Sequence, residues 1–235
     1  MEKLQNFLAG VRILEEADSP INGHIVVKYD FAWKTHIQAG GLTQSGGVVE
    51  AVWKSTFKKL QTSKLPNFQS VLILGLGGGT IAKLVRKNFP RAKITGVDID
   101  PIMIGLGKKY LKLEDCAVNI IVDDAFEFLT SHQSPVTRHY DLVCTDLYTG
   151  DHYPQKFETT KFINLVKKVL SAKGTAIFNR LYYGEKKPLA MKFLTKLEKV
   201  FDSVQVVHPE ANIMFVGRHS HALSKKTAKI QRRKK

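Results

Sequence analysis

The sequence predicts an α/β protein with a doubly wound, mostly parallel sheet, an antiparallel C-terminal hairpin and a small β-rich region in front. From Ser70 onward, short apolar runs alternate with longer amphipathic segments. The first run, SVLILGL, is closed by glycines, which is typical of a strand buried on both faces. The next segment, TIAKLVRKNF, carries its apolar residues at helical spacing. Strands that alternate with helices in this way indicate a parallel sheet.

The N-terminal part of the chain has a different pattern. Residues 1–15 suggest a short helix or an entry segment, without strong periodicity. From Gly23 to Trp53 polar and apolar residues alternate between glycine pairs, which predicts two or three short antiparallel strands. These strands are expected to run into a helix around Val48–Leu60, followed by the polar linker TSKLPNF.

After the first strand and helix, the alternation continues to the end of the sheet. The predicted helices include PIMIGLGKKYL, which places proline at a favoured first helical position. The last two strands are separated only by a short turn at Glu210-Ala211, which predicts an antiparallel hairpin. The remaining strands are predicted in KITGVDID, VNIIV, YDLVCTDL and TAIFNRL.

Composition restricts the class of protein. Apolar residues make up 43% and charged residues 24% of the chain, which is typical of a globular protein and excludes a fibrous one. No run approaches the roughly eighteen apolar residues of a membrane span, so no membrane partner is expected. Cys116 and Cys144 are too few for a disulfide framework or a zinc site. A reducing cytoplasm is therefore the expected compartment.

The C-terminal residues 218–235 are strongly basic. They hold eight Lys or Arg and no acid, in a chain whose net charge is +15. We expect this tail to be disordered. Two interpretations stay open: the tail adds electrostatic affinity for nucleic acid, ribosomes or anionic lipid, or it only keeps the protein soluble.

Ligands in open α/β sheets bind at the carboxyl ends of the strands. Candidate binding and catalytic residues follow the predicted strands at these ends. The turn Gly75–Thr80 comes directly after the first strand and lets the backbone turn tightly beside a ligand, although it could be a simple connection. Asp98 ends the second strand, where an acid can hold both hydroxyls of a ribose. Asp100 is predicted to cap the helix that starts at Pro101.

Two further acids follow later strands. Asp124 could accept a hydrogen bond from the amine of adenine, or could cap the following helix. Asp146 could orient or polarise a nucleophile, or could cap a loop. Asn179 at a later strand end is interpreted as a capping residue, and Trp33 and Trp53 as core residues.

The glycine turn lacks the features of a phosphate-binding site, which indicates the type of nucleotide. The turn reads GLGGGT, which is neither the GK[ST] form of a phosphate-binding loop nor the full dinucleotide pattern. No basic residue lies near the glycines. These features favour an adenosine without phosphates, as in adenosylmethionine.

These segments resemble the spermidine synthase-like family of Rossmann-like, adenosylmethionine-dependent transferases. LILGLGGG is similar to the glycine motif of that family, and GVDIDPIMIGLGKKYL to its ribose-binding strand and helix. DDAFEFL resembles the adenine-binding turn, and YDLVCTDLYTGDHYP the segment with the catalytic acid. The similarity is continuous over Ser70–Asn179.

The resemblance implies roles for particular residues. It implies that Asp98 binds ribose, Asp124 adenine, and Asp146 acts at the reaction centre. It also implies a homodimer. The residue patterns themselves divide the chain into three parts: an N-terminal β-rich region with its linking helix (1–64), a cofactor-binding domain (65–217) and the tail (218–235). The full cofactor-binding set implied for S-adenosylmethionine or its decarboxylated form is Gln44, Gly75, Gly77, Gly78, Gly79, Asp98 and Asp124.

Departures from the family pattern decide between reactions. Spermidine synthases carry an acid in the glycine motif that reads the amine end of their cofactor, whereas this motif is all glycine up to Thr80. We therefore favour methyl transfer to a small-molecule amine or a macromolecule, with Tyr148 either as a wall of the acceptor site or as a packed loop residue. The alternative is aminopropyl transfer to a diamine, with Glu50 and Asp151 binding the amine. A non-catalytic RNA- or protein-binding module is the second alternative.

Overall fold

The computed structural model describes residues 10–61, 67–131 and 139–218 of the chain. These residues form two sheets, one of four antiparallel strands and one of seven strands that is mostly parallel. No helix in these ranges is long and apolar enough to cross a membrane. The predicted boundary at residues 64 and 65 and almost the whole basic tail lie outside the described ranges.

The N-terminal sheet consists of four consecutive strands and leads into a long helix. The strands are β1 (Arg12–Ser19), β2 (Gly23–Asp30), β3 (Lys34–Ala39) and β4 (Leu42–Gly46), paired in that order. Helix α1 (Gly47–Gln61) follows β4 directly, close to the prediction. The expected helix or entry segment over residues 1–15 is wrong from Arg12 onward, because main-chain pairing with β2 makes that segment a strand. Residues 1–9 lie outside the described ranges.

The second sheet alternates with helices as the sequence predicts, and its elements follow one another in chain order. They are β5 (Ser70–Leu74), α2 (Thr80–Asn88), β6 (Lys93–Asp98), α3 (Pro101–Leu111), β7 (Val118–Val122), α4 (Ala125–Thr130), β8 (Tyr140–Thr145), α5 (Thr160–Lys168), β9 (Leu170–Leu181), α6 (Lys186–Val200), β10 (Ser203–Val207) and β11 (Asn212–Arg218).

The order of strands in this sheet is β10-β11-β9-β8-β5-β6-β7. The five strands from β9 to β7 run parallel, and β10 and β11 pair antiparallel at one end, which confirms the predicted C-terminal hairpin. From β5 the chain continues to β6 and β7 on one side, and then crosses from β7 to β8 on the other side of β5. The carboxyl ends of these parallel strands lie at one edge of the sheet. Ligand sites in doubly wound sheets lie at this edge, where the chain leaves the sheet in opposite directions.

The core forms on both faces of the parallel sheet. Along β5, Leu72 and Leu74 join one cluster of buried side chains, and Val71 and Ile73 join the other. This strand is inaccessible on both sides, which explains its uninterrupted apolar sequence. A third, smaller cluster packs the N-terminal sheet against α3. The two sheets are therefore joined by buried apolar surface beside the ligand edge.

Candidate active site

A cavity of about 370 Å³ lies at the carboxyl ends of β5, β6, β7 and β8. Its volume is within the range of small-molecule sites. Strand β4 and helix α1 close the side that faces the N-terminal sheet. We call the part around the glycine turn, Asp98 and Asp124 the nucleoside side, and the part around Gln44 and Asp146 the reaction side.

The glycine turn brings the end of β5 close to the end of β8. Gly75 has a φ of +85°, and a Cβ atom there would lie 2.1 Å from the main-chain oxygen of Asp146. Only glycine fits this combination of conformation and contact. Gly75 and Gly77 line the cavity. Gly78 instead packs against Gly107, and Gly79 packs against Leu113. The two halves of the site are thus in main-chain contact.

Side-chain hydroxyls attach the N-terminal sheet to this turn. The amide of Gly78 donates a hydrogen bond to Oγ of Ser45 at 2.7 Å. The amide of Gly46 donates to Oγ1 of Thr80, also at 2.7 Å. Both contacts join residues more than thirty positions apart. Ser45 cannot be recognised from the sequence, because no local pattern marks a hydroxyl that contacts a distant turn.

Asp98 lies at the end of β6 and lines the cavity. Its Oδ2 accepts a hydrogen bond from the Gly77 amide at 2.6 Å, and its Oδ1 accepts one from the Asp100 amide at 2.9 Å. Burial raises the pKa of Asp98, and these backbone hydrogen bonds partly offset that rise. Each oxygen has a further lone pair, so the carboxylate can also accept hydrogen bonds from the cavity. Asp100 caps α3, which confirms that prediction.

Asp124 lines the cavity and also caps a helix. Its Oδ1 accepts hydrogen bonds from the amides of Phe126 and Glu127, at the start of α4. Its Oδ2 accepts one from Nζ of Lys156 at 2.5 Å. The capping alternative is therefore confirmed, and contact with an adenine stays a prediction. Both Asp124 and Lys156 border the cavity, so this ion pair joins the nucleoside side to the loop after β8.

Asp146 follows β8 and borders the reaction side, where two side chains hold its carboxylate. Nε1 of Trp53 donates to Oδ2 at 2.8 Å, and Nδ2 of Asn179 donates to Oδ1 at 2.8 Å. Burial raises the pKa of Asp146 to about 6, although both hydrogen bonds act to lower it. The loop-capping alternative does not describe this geometry, because both hydrogen bonds come from distant side chains.

Trp53 and Asn179 have a role as donors that the sequence does not predict. Trp53 is a fully buried core residue, as expected, but its indole N–H also reaches Asp146 from 93 positions away. Asn179 does not cap a loop: it lies in β9, and its Oδ1 accepts a hydrogen bond from Asn212 at 2.8 Å. The expectation that Trp33 packs in the core is wrong, since 44% of its surface is exposed.

Gln44 and Tyr148 both border the cavity and also join elements of the protein. Nε2 of Gln44 donates to the Gly150 carbonyl at 3.1 Å, which ties β4 to the loop after β8. The hydroxyl of Tyr148 accepts from the Leu181 amide at 2.7 Å, and its ring packs edge-on against Tyr153. Burial raises the pKa of Tyr148 further above its ordinary value. Tyr148 is therefore a packed wall of the cavity.

Two predicted amine ligands do not lie at the cavity. Glu50 faces outward on α1 and pairs with Lys83 at 3.5 Å. Asp151 pairs with Lys186 at 2.9 Å, and this contact lowers the pKa of Asp151. Neither carboxylate borders the cavity. Helical phase explains the position of Glu50, because Val49, Val52 and Trp53 take the inward face of α1.

Comparison with known proteins identifies the family of this chain. Residues 50–216, more than half of the chain, match the spermine/spermidine synthase domain. The chain belongs to this family. Within it, the chain is 32% identical over 143 residues to an eEF1A lysine and N-terminal methyltransferase homolog of Drosophila melanogaster. That match covers 58% of this chain and 21% of the relative, so the chain spans about a fifth of its length.

Solved structures of two other proteins share the fold. A spermidine synthase from Thermotoga maritima superposes with a TM-score of 0.70 at 17% identity, over 89% of this chain and 73% of that one. Human methyltransferase-like protein 13, solved in complex with SAH, superposes with a TM-score of 0.59 at 22% identity, over 68% and 74%. At these identities the likeness establishes a Rossmann-like fold, as the sequence predicts.

The chemistry of this family member's cavity fits a nucleoside that carries no phosphate. Among the described residues, Lys156 is the one cationic side chain on the cavity wall, and Asp124 already neutralises it. Carboxylates at the ends of β6 and β7 are suited to hydroxyl and amine donors and repel anions. Within the described ranges, no group of three His, Cys, Asp or Glu side chains could hold a metal ion.

Proposed function

We propose that this protein transfers the methyl group of S-adenosylmethionine to an amine of an acceptor molecule. Membership of the spermine/spermidine synthase domain family supports a transferase that uses an adenosyl-sulfonium cofactor. Similarity to an eEF1A lysine and N-terminal methyltransferase homolog favours a protein amine as the acceptor. The human methyltransferase-like protein solved with SAH has the same fold, which supports this cofactor class.

The nucleoside side would hold the cofactor. Asp98 has lone pairs directed at the cavity while its backbone partners fix its position, so it is suited to the two ribose hydroxyls. Asp124 and the main chain beside it would border the adenine. Gly75 and Gly77 leave room for close approach of the cofactor to the main chain. When bound, the cofactor supplies an electrophilic methyl group on a sulfonium centre.

On the reaction side, Asp146 would orient the acceptor amine. Its carboxylate accepts a hydrogen bond from the amine N–H and thereby directs the nitrogen lone pair toward the methyl group. A pKa of about 6 leaves Asp146 ionised at neutral pH, so it also stabilises the positive charge that grows on the nitrogen. Tyr148 and Gln44 would form walls that exclude water around the amine.

The positions of the carboxylates around the cavity favour methyl transfer over aminopropyl transfer. Asp146 is the one carboxylate that the described residues supply on the reaction side, because Glu50 and Asp151 pair with surface lysines. A diamine is a double cation, and its distal ammonium needs a partner of its own when it is desolvated. A single amine needs only Asp146.

Purified protein incubated with radiolabelled S-adenosylmethionine and a cell extract tests this proposal. We expect label to enter protein, with the modified residue identified as a methylated lysine or N-terminus by mass spectrometry. A parallel incubation contains decarboxylated S-adenosylmethionine and putrescine. Formation of spermidine at an ordinary enzymatic rate would reject methyl transfer in favour of the aminopropyl reaction, for which the family match is the supporting observation.

The remaining expectations about partners and location are proposals of the same kind. We propose a cytoplasmic protein that forms a homodimer and contacts nucleic acid through residues 218–235, whose eight basic residues supply the charge. Removal of those residues would reduce RNA binding in a filter assay and weaken its salt dependence. Absence of cofactor binding by calorimetry would favour a non-catalytic RNA- or protein-binding module.

A further inference from the structure

We propose that Trp53 is a positioning residue, whose indole N–H holds the Asp146 carboxylate in one orientation toward the cavity. Its effect on turnover rests on the proposed function, whereas its effect on the carboxylate does not. Trp53 touches the carboxylate directly at 2.8 Å and does not border the cavity itself. It therefore acts on the reaction through Asp146.

Two donors on different oxygens fix the plane of this carboxylate. Trp53 binds Oδ2 and Asn179 binds Oδ1, each at 2.8 Å, so rotation about the last side-chain bond would break both contacts. Asn212 donates to Oδ1 of Asn179, which leaves the amide nitrogen of Asn179 directed at Asp146. Each carboxylate oxygen keeps a lone pair for a ligand in the cavity.

The donor Trp53 comes from a different layer of the molecule from its acceptor. It is fully buried on α1, the helix that continues the N-terminal sheet, and packs beside Phe57 with ring centroids 6.0 Å apart. Asp146 follows β8 in the centre of the parallel sheet. The reaction side is therefore complete only when α1 packs on the ends of the parallel strands.

The hydrogen bond also controls the charge of Asp146. Burial raises its pKa and the Trp53 contact lowers it, so loss of the indole N–H raises the pKa further. Three titratable groups interact electrostatically with Asp146, Cys144 on β8 and Tyr148 and Tyr153 on the following loop, and burial raises the pKa of all three. They stay neutral between pH 5 and 8, so they do not mask the titration of Asp146.

Nuclear magnetic resonance of the full chain tests this contact without any activity. The chain has two tryptophans, so a ¹⁵N spectrum shows two indole N–H signals, which Trp33→Phe assigns. We expect the Trp53 signal to shift with a midpoint near pH 6, and the exposed Trp33 to stay constant. Asp146→Asn should abolish the shift. A Trp53 signal that does not titrate, or that titrates equally in Asp146→Asn, would overturn the proposal.

The variant Trp53→Phe keeps a buried aromatic ring and removes only the donor. With ¹³C-labelled aspartate, we expect the midpoint of Asp146 to rise by roughly half to one pH unit. Trp33→Phe, the same substitution at an exposed position, should leave it unchanged. If Trp53→Phe is too unstable to study, 5-fluorotryptophan incorporation reports the same contact through the fluorine signal. An unchanged midpoint in the folded Trp53→Phe protein contradicts the proposal.

In the methyl-transfer assay, Trp53→Phe should lower kcat about tenfold while KM changes less than about twofold, because positioning acts on the transition state. The acidic limb of the pH profile should move to higher pH, since the reactive form is the carboxylate. A protein that shows the indole titration but has no transferase activity would refute the proposed function and leave the contact established. An active Trp53→Phe protein with an unmoved pH profile would refute the positioning role alone.

Discussion

The two sides of the cavity hold their acids by different means. On the nucleoside side, Asp98 accepts hydrogen bonds from two main-chain amides. The amide of Asp100 belongs to the turn after its own strand, and the amide of Gly77 to the turn after the neighbouring strand β5. On the reaction side, Asp146 accepts from two side chains, Trp53 and Asn179, that belong to distant elements. A main-chain donor survives most substitutions, whereas a side-chain donor can be lost or exchanged by one. Single substitutions on the reaction side can therefore alter the contacts of its acid while the fold stays the same.

This difference also predicts that substitutions on one side change mainly the affinity for the cofactor and substitutions on the other change mainly kcat. In the proposed reaction, contacts on the nucleoside side would be made with a part of the ligand that does not change, so they would lower the free energies of the ground and transition states alike. Contacts of Asp146 would act where charge develops in the proposed reaction, so they would affect mainly the transition state. Substitutions on the two sides should give opposite patterns of effect.

The largest expected effect is that of Asp146→Asn. We expect kcat to fall by roughly 10²- to 10³-fold, because a neutral amide cannot stabilise the charge on the acceptor nitrogen. Cofactor affinity, measured by calorimetry, should change only a few-fold. The amide also directs an N–H toward one of two existing donors, so Asp146→Ala is the companion variant that avoids this conflict. Tenfold or greater loss of cofactor affinity in both variants would break the distinction between the two sides.

Gly75→Ala should affect both sides at once. Its φ of +85° and the 2.1 Å approach of a Cβ atom to the Asp146 oxygen predict a loss of about 2–5 kcal/mol in the free energy of unfolding. Urea denaturation measures this loss, and both cofactor affinity and kcat should fall with it.

The matched control is Gly105→Ala. Gly105 lies on the exposed face of α3, and no atom lies within 4 Å of the position of a Cβ atom there. Alanine at an exposed helical position should stabilise the protein by about 0.5–1 kcal/mol. Equal effects of the two substitutions would mean that the contact between the glycine turn and Asp146 is unimportant for folding.

Asp98→Asn should weaken cofactor affinity about tenfold to a hundredfold, with kcat at saturating cofactor reduced much less. The amide loses the charge that two ribose hydroxyls would engage, and it keeps one oxygen for the Gly77 amide. Calorimetry and saturation kinetics measure the two quantities separately. A large fall in kcat without a fall in affinity would place Asp98 in the reaction and contradict the proposed division.

Local sequence predicted the nucleoside side and only part of the reaction side. The glycine turn, Asp98 and the capping role of Asp100 each follow from residues within a few positions of a strand end, where pattern and geometry coincide. The parallel sheet and its antiparallel hairpin follow from the same kind of alternation. A local pattern of this kind predicts the structure correctly because the hydrogen-bond partners are main-chain groups, which are present whatever the sequence.

The other contacts depend on tertiary packing that no local pattern encodes. The sequence marks Trp53 as apolar and buried, which is correct, but its N–H partner lies 93 positions away. The sequence offers Glu50 as an amine ligand for the aminopropyl alternative, whereas its position on α1 directs it to Lys83. The strand β1 was missed because its sequence, RILEEADS, alternates weakly and gains its conformation from pairing with β2.

The smallest expected effects are those of Glu50→Gln and Asp151→Asn, and they decide between the two candidate reactions. Exposed ion pairs of this kind contribute little, so each variant should keep methyl-transfer kcat/KM within about twofold of the parent. An aminopropyltransferase that used these acids would instead lose affinity for its diamine when either was neutralised. The double variant sharpens the test, because a diamine site would lose both ligands while a site for a single amine still has Asp146. A kcat/KM that falls tenfold or more in the double variant, at unchanged thermal stability, would show that the acceptor reaches these surface acids and carries a second positive charge.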